Sequence, residues 1–272
     1  MLHTPRVLTT ELGRDPKSAL IFNFVRLGIR DKLYGLRQCI GLGRPDRAVM
    51  DHLVVPDSAI ANKATEWAAS IQPDFVQYHG LRSFAFGVAL AEYHNVRFDR
   101  EMLYIAAILH DISLASPEHD GPGSFEVEAA GCAHRWLGEQ GYDQEKADII
   151  HEAMALHSAV CHTGPRDPEG LLLHLGAGVD VVGMQVMNIH RDVRAKILRD
   201  YPRTGFVKDF GQLVADQACH KPQCHIAGLV GVGFQKAMSS NPLDRAAQFP
   251  VILAMITAFS GDEILWLVRH II

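Results

Sequence analysis

Residues 99–111 read DREMLYIAAILHD. Asp99 offers an N-cap oxygen to a helix over Glu101–His110, and Leu103-Tyr104-Ile105-Ala106-Ala107-Ile108-Leu109 is apolar or aromatic at every position. A helix apolar on all its faces belongs inside a core. This one ends in an imidazole and a carboxylate, His110-Asp111. An ionised carboxylate among apolar residues is costly unless it is paired or binds a metal. The stretch therefore implies both a helical core and chemistry buried within it.

The same pattern extends outward on both sides. Asp57 or Ser58 caps a helix through Ser70, and Pro73-Asp74 opens the next, from Phe75 to about His94. Ser124 caps a helix ending near Gly141, a C′ glycine, and Asp143 caps Gln144–His157. Pro168 stands in the first turn of a helix reaching about Ile189. Alternation of β-branched residues is nearly absent, so the fold class is all-α. Residues 1–56 read as an N-terminal extension with helical patterning over Ser18–Leu33. Residues 229–272 read as a C-terminal helical segment packed on the main body. Asn241-Pro242 punctuates it ahead of an apolar piece, Phe249 to Phe259.

The chain has 272 residues, 48% hydrophobic and 21% charged, enough to bury a full core. Its 26 Lys and Arg against 31 Asp and Glu give a net charge of −5, which offers no long-range attraction for polyphosphate. Nucleic acid is not an expected partner. The apolar runs are too short to span a bilayer, the N-terminus has no apolar signal region, and the five cysteines are scattered. Together they predict a cytoplasmic protein without membrane contact. The 15 histidines stand out against 6 tyrosines and 3 tryptophans and direct attention to metal-ligand spacing.

His79, His110-Asp111 and Asp180 form that spacing, each on or at the end of a separate helix. His79 shares a face with Arg82, Ser83 and Phe86, and Asp180 lies on the stripe Leu173, Ala177, Met184, Met187. Two imidazoles and two carboxylates converging would make the mixed N/O set that borderline divalent ions accept. Adjacent helical residues diverge by about 100°, so His110 and Asp111 share one ion only where the helix is ending.

The pattern resembles the HD superfamily of metal-dependent hydrolases and, within it, the cyanamide hydratase-type branch. Further matching stretches are His79-Gly80-Leu81-Arg82, Gly123-Ser124-Phe125-Glu126, Ala155-Leu156-His157, Asp180-Val181-Val182-Gly183, Tyr201-Pro202-Arg203 and Lys221-Pro222-Gln223-Cys224-His225. The resemblance implies an HD-domain helical bundle over residues 57–228. It implies one divalent ion held by His79, His110, Asp111 and Asp180, zinc first and iron, manganese or nickel next. It also implies hydration or hydrolysis of a small-molecule substrate, a nitrile such as cyanamide being the leading candidate. Self-association is left open.

Related di-iron oxygenases and many HD phosphodiesterases carry two further histidines. One falls where this chain has Glu126 and the other matches His157, so a single metal is expected. His157 and Glu126 are the candidates for proton transfer, and Arg82 and His225 for substrate binding. A phosphomonoesterase or phosphodiesterase acting on nucleotides is the alternative, with Arg82 and Arg191 as phosphate ligands; a non-catalytic ligand-binding module is the third reading. Cys219-His220 and Cys224-His225 lack a second matching pair and read as loop residues. His134, His151, His162, His174, His190 and His220 read as structural. Gly176, Gly178 and Gly183 read as sites of close helix approach.

Overall fold

The computed structural model describes residues 8–39, 45, 47–114, 123–160 and 167–244. The described residues form eleven α-helices and no strand beyond an isolated antiparallel bridge between Gly13 and Cys224. In chain order they are α1 Lys17–Cys39, α2 Ala59–Ile71, α3 Asp74–His94, α4 Arg100–Leu109, α5 Phe125–Glu139, α6 Gln144–Ala155, α7 Pro168–Val182, α8 Arg191–Asp200, α9 Phe206–His220, α10 His225–Gly231 and α11 Phe234–Ser239. The fold is all-α.

Most boundaries follow from capping chemistry. Ser58 Oγ accepts from Ala61 N, Asp99 accepts from Glu101 N and Met102 N, and Asp143 accepts from Lys146 N. Asn95 stops α3 in the left-handed region at φ 52°. The helix opened by Pro168 ends at Val182, short of the Ile189 that the apolar stripe suggests. Gly183 at φ 76° closes it, with Gly183 N and Met184 N returning to Val179 O and Gly178 O. A brief 3-10 turn, Val186–Asn188, follows. Ser124 stands at the N-cap of α5, but its hydroxyl turns to Glu126 instead of a backbone N–H.

α4 is the central element, buried from Met102 to Leu109, and α3, α6 and α7 pack around it. Two glycines let α3 come close to its neighbours. A Cβ on Gly80 would stand 2.7 Å from Ala107 O of α4. A Cβ on Gly176 of α7 would overlap Ser83 O of α3. That approach draws His79, next to Gly80, against the end of α4.

The N-terminal stretch lies against this body. Arg14 N donates to Gln223 O at 3.0 Å, Leu20 is fully buried with Phe206 and Leu229, and α1 contacts α10 and the 3-10 turn. The apolar piece Phe249–Phe259 and His162 lie outside the described residues. None of the described helices is long and apolar enough to cross a membrane.

If the α3–α7 approach is as close as this, Gly176→Ala should destabilise by about 1–3 kcal/mol through overpacking. Gly138→Ala, in open space on α5, should be neutral or stabilising by up to about 1 kcal/mol. Thermal unfolding of both variants checks this; an unchanged Tm for Gly176→Ala would contradict the packing.

Candidate metal centre

α4 ends at Leu109, His110 takes the C-cap position, and a turn held by Ile112 N to Leu109 O and Leu114 N to Asp111 O follows. The helix thus ends where two adjacent side chains can turn to one point. His110 Nε2 lies 3.2 Å from His79 Nε2 and 3.3 Å from Asp111 Oδ2, and His79 Nε2 lies 3.5 Å from Asp111 Oδ2. The three ligand atoms fall within 4.8 Å of one another, and no other group of three or more His, Cys, Asp or Glu does so among the described residues. All three residues are at most 2% exposed.

Each imidazole is fixed from behind. His110 Nδ1 donates to Ala107 O at 2.7 Å, and His79 Nδ1 donates to Asp180 Oδ2 at 2.7 Å. Both rings therefore present Nε2 to the shared point, which is how a ligating histidine is oriented. His157 Nδ1 donates to Met154 O at 2.7 Å, leaving its Nε2 3.9 Å from Asp111 Oδ1. Neither oxygen of Asp111 has a hydrogen-bond partner, although both are buried. An orphaned carboxylate facing imidazole nitrogens is the donor set a divalent cation fits.

The electrostatics agree. Burial alone would raise the Asp111 carboxyl, but the neighbouring His110, His79 and His157 hold it well below the ordinary carboxylate range. Burial works against a charge on His110, yet Asp111 pulls its pKa up. Burial lowers His79 despite Asp180, and burial together with His110 pushes His157 down to about 3. The field that favours a proton on His110 favours a cation in the same place.

Residues 76–177 match the model of the HD domain family. The cyanamide hydratases DDI2 and DDI3 of Saccharomyces cerevisiae are each 30% identical to this chain over 191 residues, spanning 68% of the chain and 84% of each relative. The chain belongs to the HD-domain family.

Four of the residues singled out in the sequence lie behind the trio rather than beside it. Asp180 is fully buried, but its carboxylate is already engaged. Oδ2 accepts from His79, and Oδ1 accepts from Arg82 Nε at 2.7 Å and Arg203 Nη1 at 2.6 Å. In this arrangement Asp180 reaches the trio through His79, not beside it. The two guanidiniums explain why: they hold its carboxyl far below the ordinary range against the effect of burial. Arg82 does not line the cavity beside the trio, which His79, Asp111 and His157 border. It is buried, with Nη1 donating to the carbonyls of Tyr201 and Pro202. Glu126 sits behind the cavity wall, accepting from the hydroxyls of Ser124 and Ser158, because its buried carboxylate takes the nearest donors. His225 is also fully buried, its Nε2 donating to Ser158 O at 3.1 Å and its Nδ1 lying 3.1 Å from Asp15 Oδ2.

The structure adds residues that the sequence did not single out. Arg203 bridges Asp180 and Asp244, and Phe206 lies beneath both Arg82 and Arg203 at 4.8 Å. Asn241 Nδ2 donates to Asp180 O at 2.8 Å. Ser158 and His174 line the cavity beside the trio. The Tyr201-Pro202-Arg203 stretch was the only signal for Arg203, and it carried no role.

Two substitutions separate the two aspartates. Asp180→Asn, which leaves the buried Arg82 guanidinium without its counter-ion while Arg203 keeps Asp244, should lose about 3–5 kcal/mol of stability. Asp111→Asn should keep the stability of the chelated wild-type protein and lose bound metal. Urea unfolding with elemental analysis reads both; an Asp111→Asn protein that retains full metal contradicts the assignment.

Proposed function

We propose that this protein is a metal-dependent hydratase that adds water to a small nitrile such as cyanamide. The observation that carries the reading is the cavity in front of the trio, about 90 Å³ in volume. His79, Asp111 and His157 face it on one side, and Phe125, Val181 and Phe210 are among its apolar walls. A water needs roughly 10–15 Å³ measured this way. The cavity therefore suits a molecule of a few heavy atoms together with a water. The cyanamide hydratase relatives act on a substrate of that size.

A divalent ion held by His79, His110 and Asp111, zinc first and iron, manganese or nickel next, would supply a Lewis acid that makes water nucleophilic at neutral pH. His157 is the group positioned to move the proton. Its Nδ1–H is committed to Met154 O, and its ring is neutral at physiological pH, so Nε2 carries a lone pair. That nitrogen can accept the proton released as the carbon–oxygen bond forms and deliver it to the nitrile nitrogen. Both hydrogens of water end on that nitrogen and the oxygen on carbon, giving urea from cyanamide. Apolar walls exclude competing water, and Asp180 keeps His79 in the one tautomer that faces the reaction.

Phosphate-ester hydrolysis fits this cavity less well. No Lys or Arg is among the described lining residues. Arg82 is occupied by Asp180, and Arg191 is exposed on α8 beside Asp192.

Protein reconstituted separately with zinc, iron, manganese and nickel should convert cyanamide to urea with at least one of them. No urea with any of the four would overturn the reading. His157→Ala should keep its metal and lose about 10²- to 10⁴-fold in kcat; an unchanged kcat would remove His157 from the mechanism.

A further inference from the structure

The polar groups lining the cavity fall into two sets. His79, Asp111 and His157 serve the trio and the proton. Ser158 and His174 line the same space and have no part in the chemistry above. Their protons are already directed elsewhere. Ser158 Oγ donates to Glu126 Oε1 at 2.7 Å, and the other Glu126 oxygen takes the Ser124 hydroxyl. His225 Nε2 fixes the Ser158 carbonyl from behind. His174 Nδ1 lies 2.7 Å from His157 O, and a carbonyl can only accept, so the proton is on Nδ1. Burial lowers the pKa of His174, with the Arg30 charge acting in the same direction and the His157 bond against it. The neutral ring then has a bare lone pair on Nε2. Both side chains can accept a hydrogen bond from an occupant; neither has a hydrogen left to give.

We infer that Ser158 and His174 form an acceptor pair that selects nitriles bearing an N–H donor on the reacting carbon over alkyl nitriles of equal size. The inference rests on the nitrile-hydratase reading and adds its substrate class: an amino group finds two acceptors, and a methyl group in its place leaves both unpaired in an apolar pocket. A site built to bond a substrate N–H rejects the analogue lacking it far more strongly than an apolar pocket rejects a change of one methylene.

The test compares cyanamide with acetonitrile, which replaces the amino group by methyl. Calorimetric Kd values are measured for zinc-loaded protein in the His157→Ala background, where turnover does not interfere. Added to that background are Ser158→Ala, Ser158→Thr and His174→Phe, each first checked for native circular dichroism and zinc content. Urea formation by the wild-type enzyme is measured separately. The cyanamide preference in Kd should fall at least ~10-fold with Ser158→Ala and with His174→Phe, and Ser158→Thr should restore it to within ~3-fold. An unaltered preference in both loss variants overturns the inference even if wild-type enzyme makes urea. Should the preference shift while no urea forms, the donor-selective cavity stands and the hydratase reading fails.

Discussion

A carboxylate sealed in a helical core with no hydrogen-bond partner is the constraint on which the rest of the molecule depends. Asp111 is 2% exposed and both its oxygens are unpartnered. Such a charge costs several kcal/mol to desolvate unless positive charge answers it at short range. The fold sets three imidazoles beside it, each oriented by a fixed acceptor so that Nε2 faces the carboxylate. Asp111 raises the pKa of His110, and the same field favours a cation between them. Gly80 permits the close approach of α3 and α4, and the C-terminus of α4 lets His110 and Asp111 turn to one point. The packing of the core and the chemistry of the site are one arrangement.

Asp180 shows the opposite use of the same residue type. It is buried to the same degree but fully partnered, by His79, Arg82 and Arg203, with Asn241 holding its backbone carbonyl. Its charge is answered within the protein by Arg82 and Arg203. It acts as a strut, tying α3, α7, the loop before α9 and the residues after α11 to the position of one imidazole. Phe206, 4.8 Å from both guanidiniums and with His79 at 5.2 Å, packs against that strut.

Much of this was legible from the residues. Ser58, Asp99 and Asp143 capped helices where their side chains said they would, and the apolar run before His110 identified the central helix. Of the glycines read as sites of close helix approach, Gly176 is one, whereas Gly183 is the left-handed C-cap of α7; Gly80, the other contact glycine, was not read that way. The helix opened by Pro168 was overextended because its apolar spacing continues past Gly183, whereas the left-handed C-cap decides where it stops. The site was legible as a set of residues but not as a set of roles. Spacing shows that Asp180 and Arg82 are on inward faces; it does not show that they face each other. Short sequence matches pointed to Glu126 and His225 but could not show their partners, the hydroxyls of Ser124 and Ser158 and the Ser158 carbonyl. His174 was set aside as structural because nothing local distinguishes a cavity histidine from a core one.

The most direct test of the central claim is an anomalous-diffraction structure of the zinc-loaded protein. The account predicts one ion about 2.0–2.2 Å from Nε2 of His79, Nε2 of His110 and an oxygen of Asp111, with Asp180 still hydrogen-bonded to His79 Nδ1. An ion bound elsewhere, or Asp111 found partnered by protein donors with no ion beside it, would contradict it.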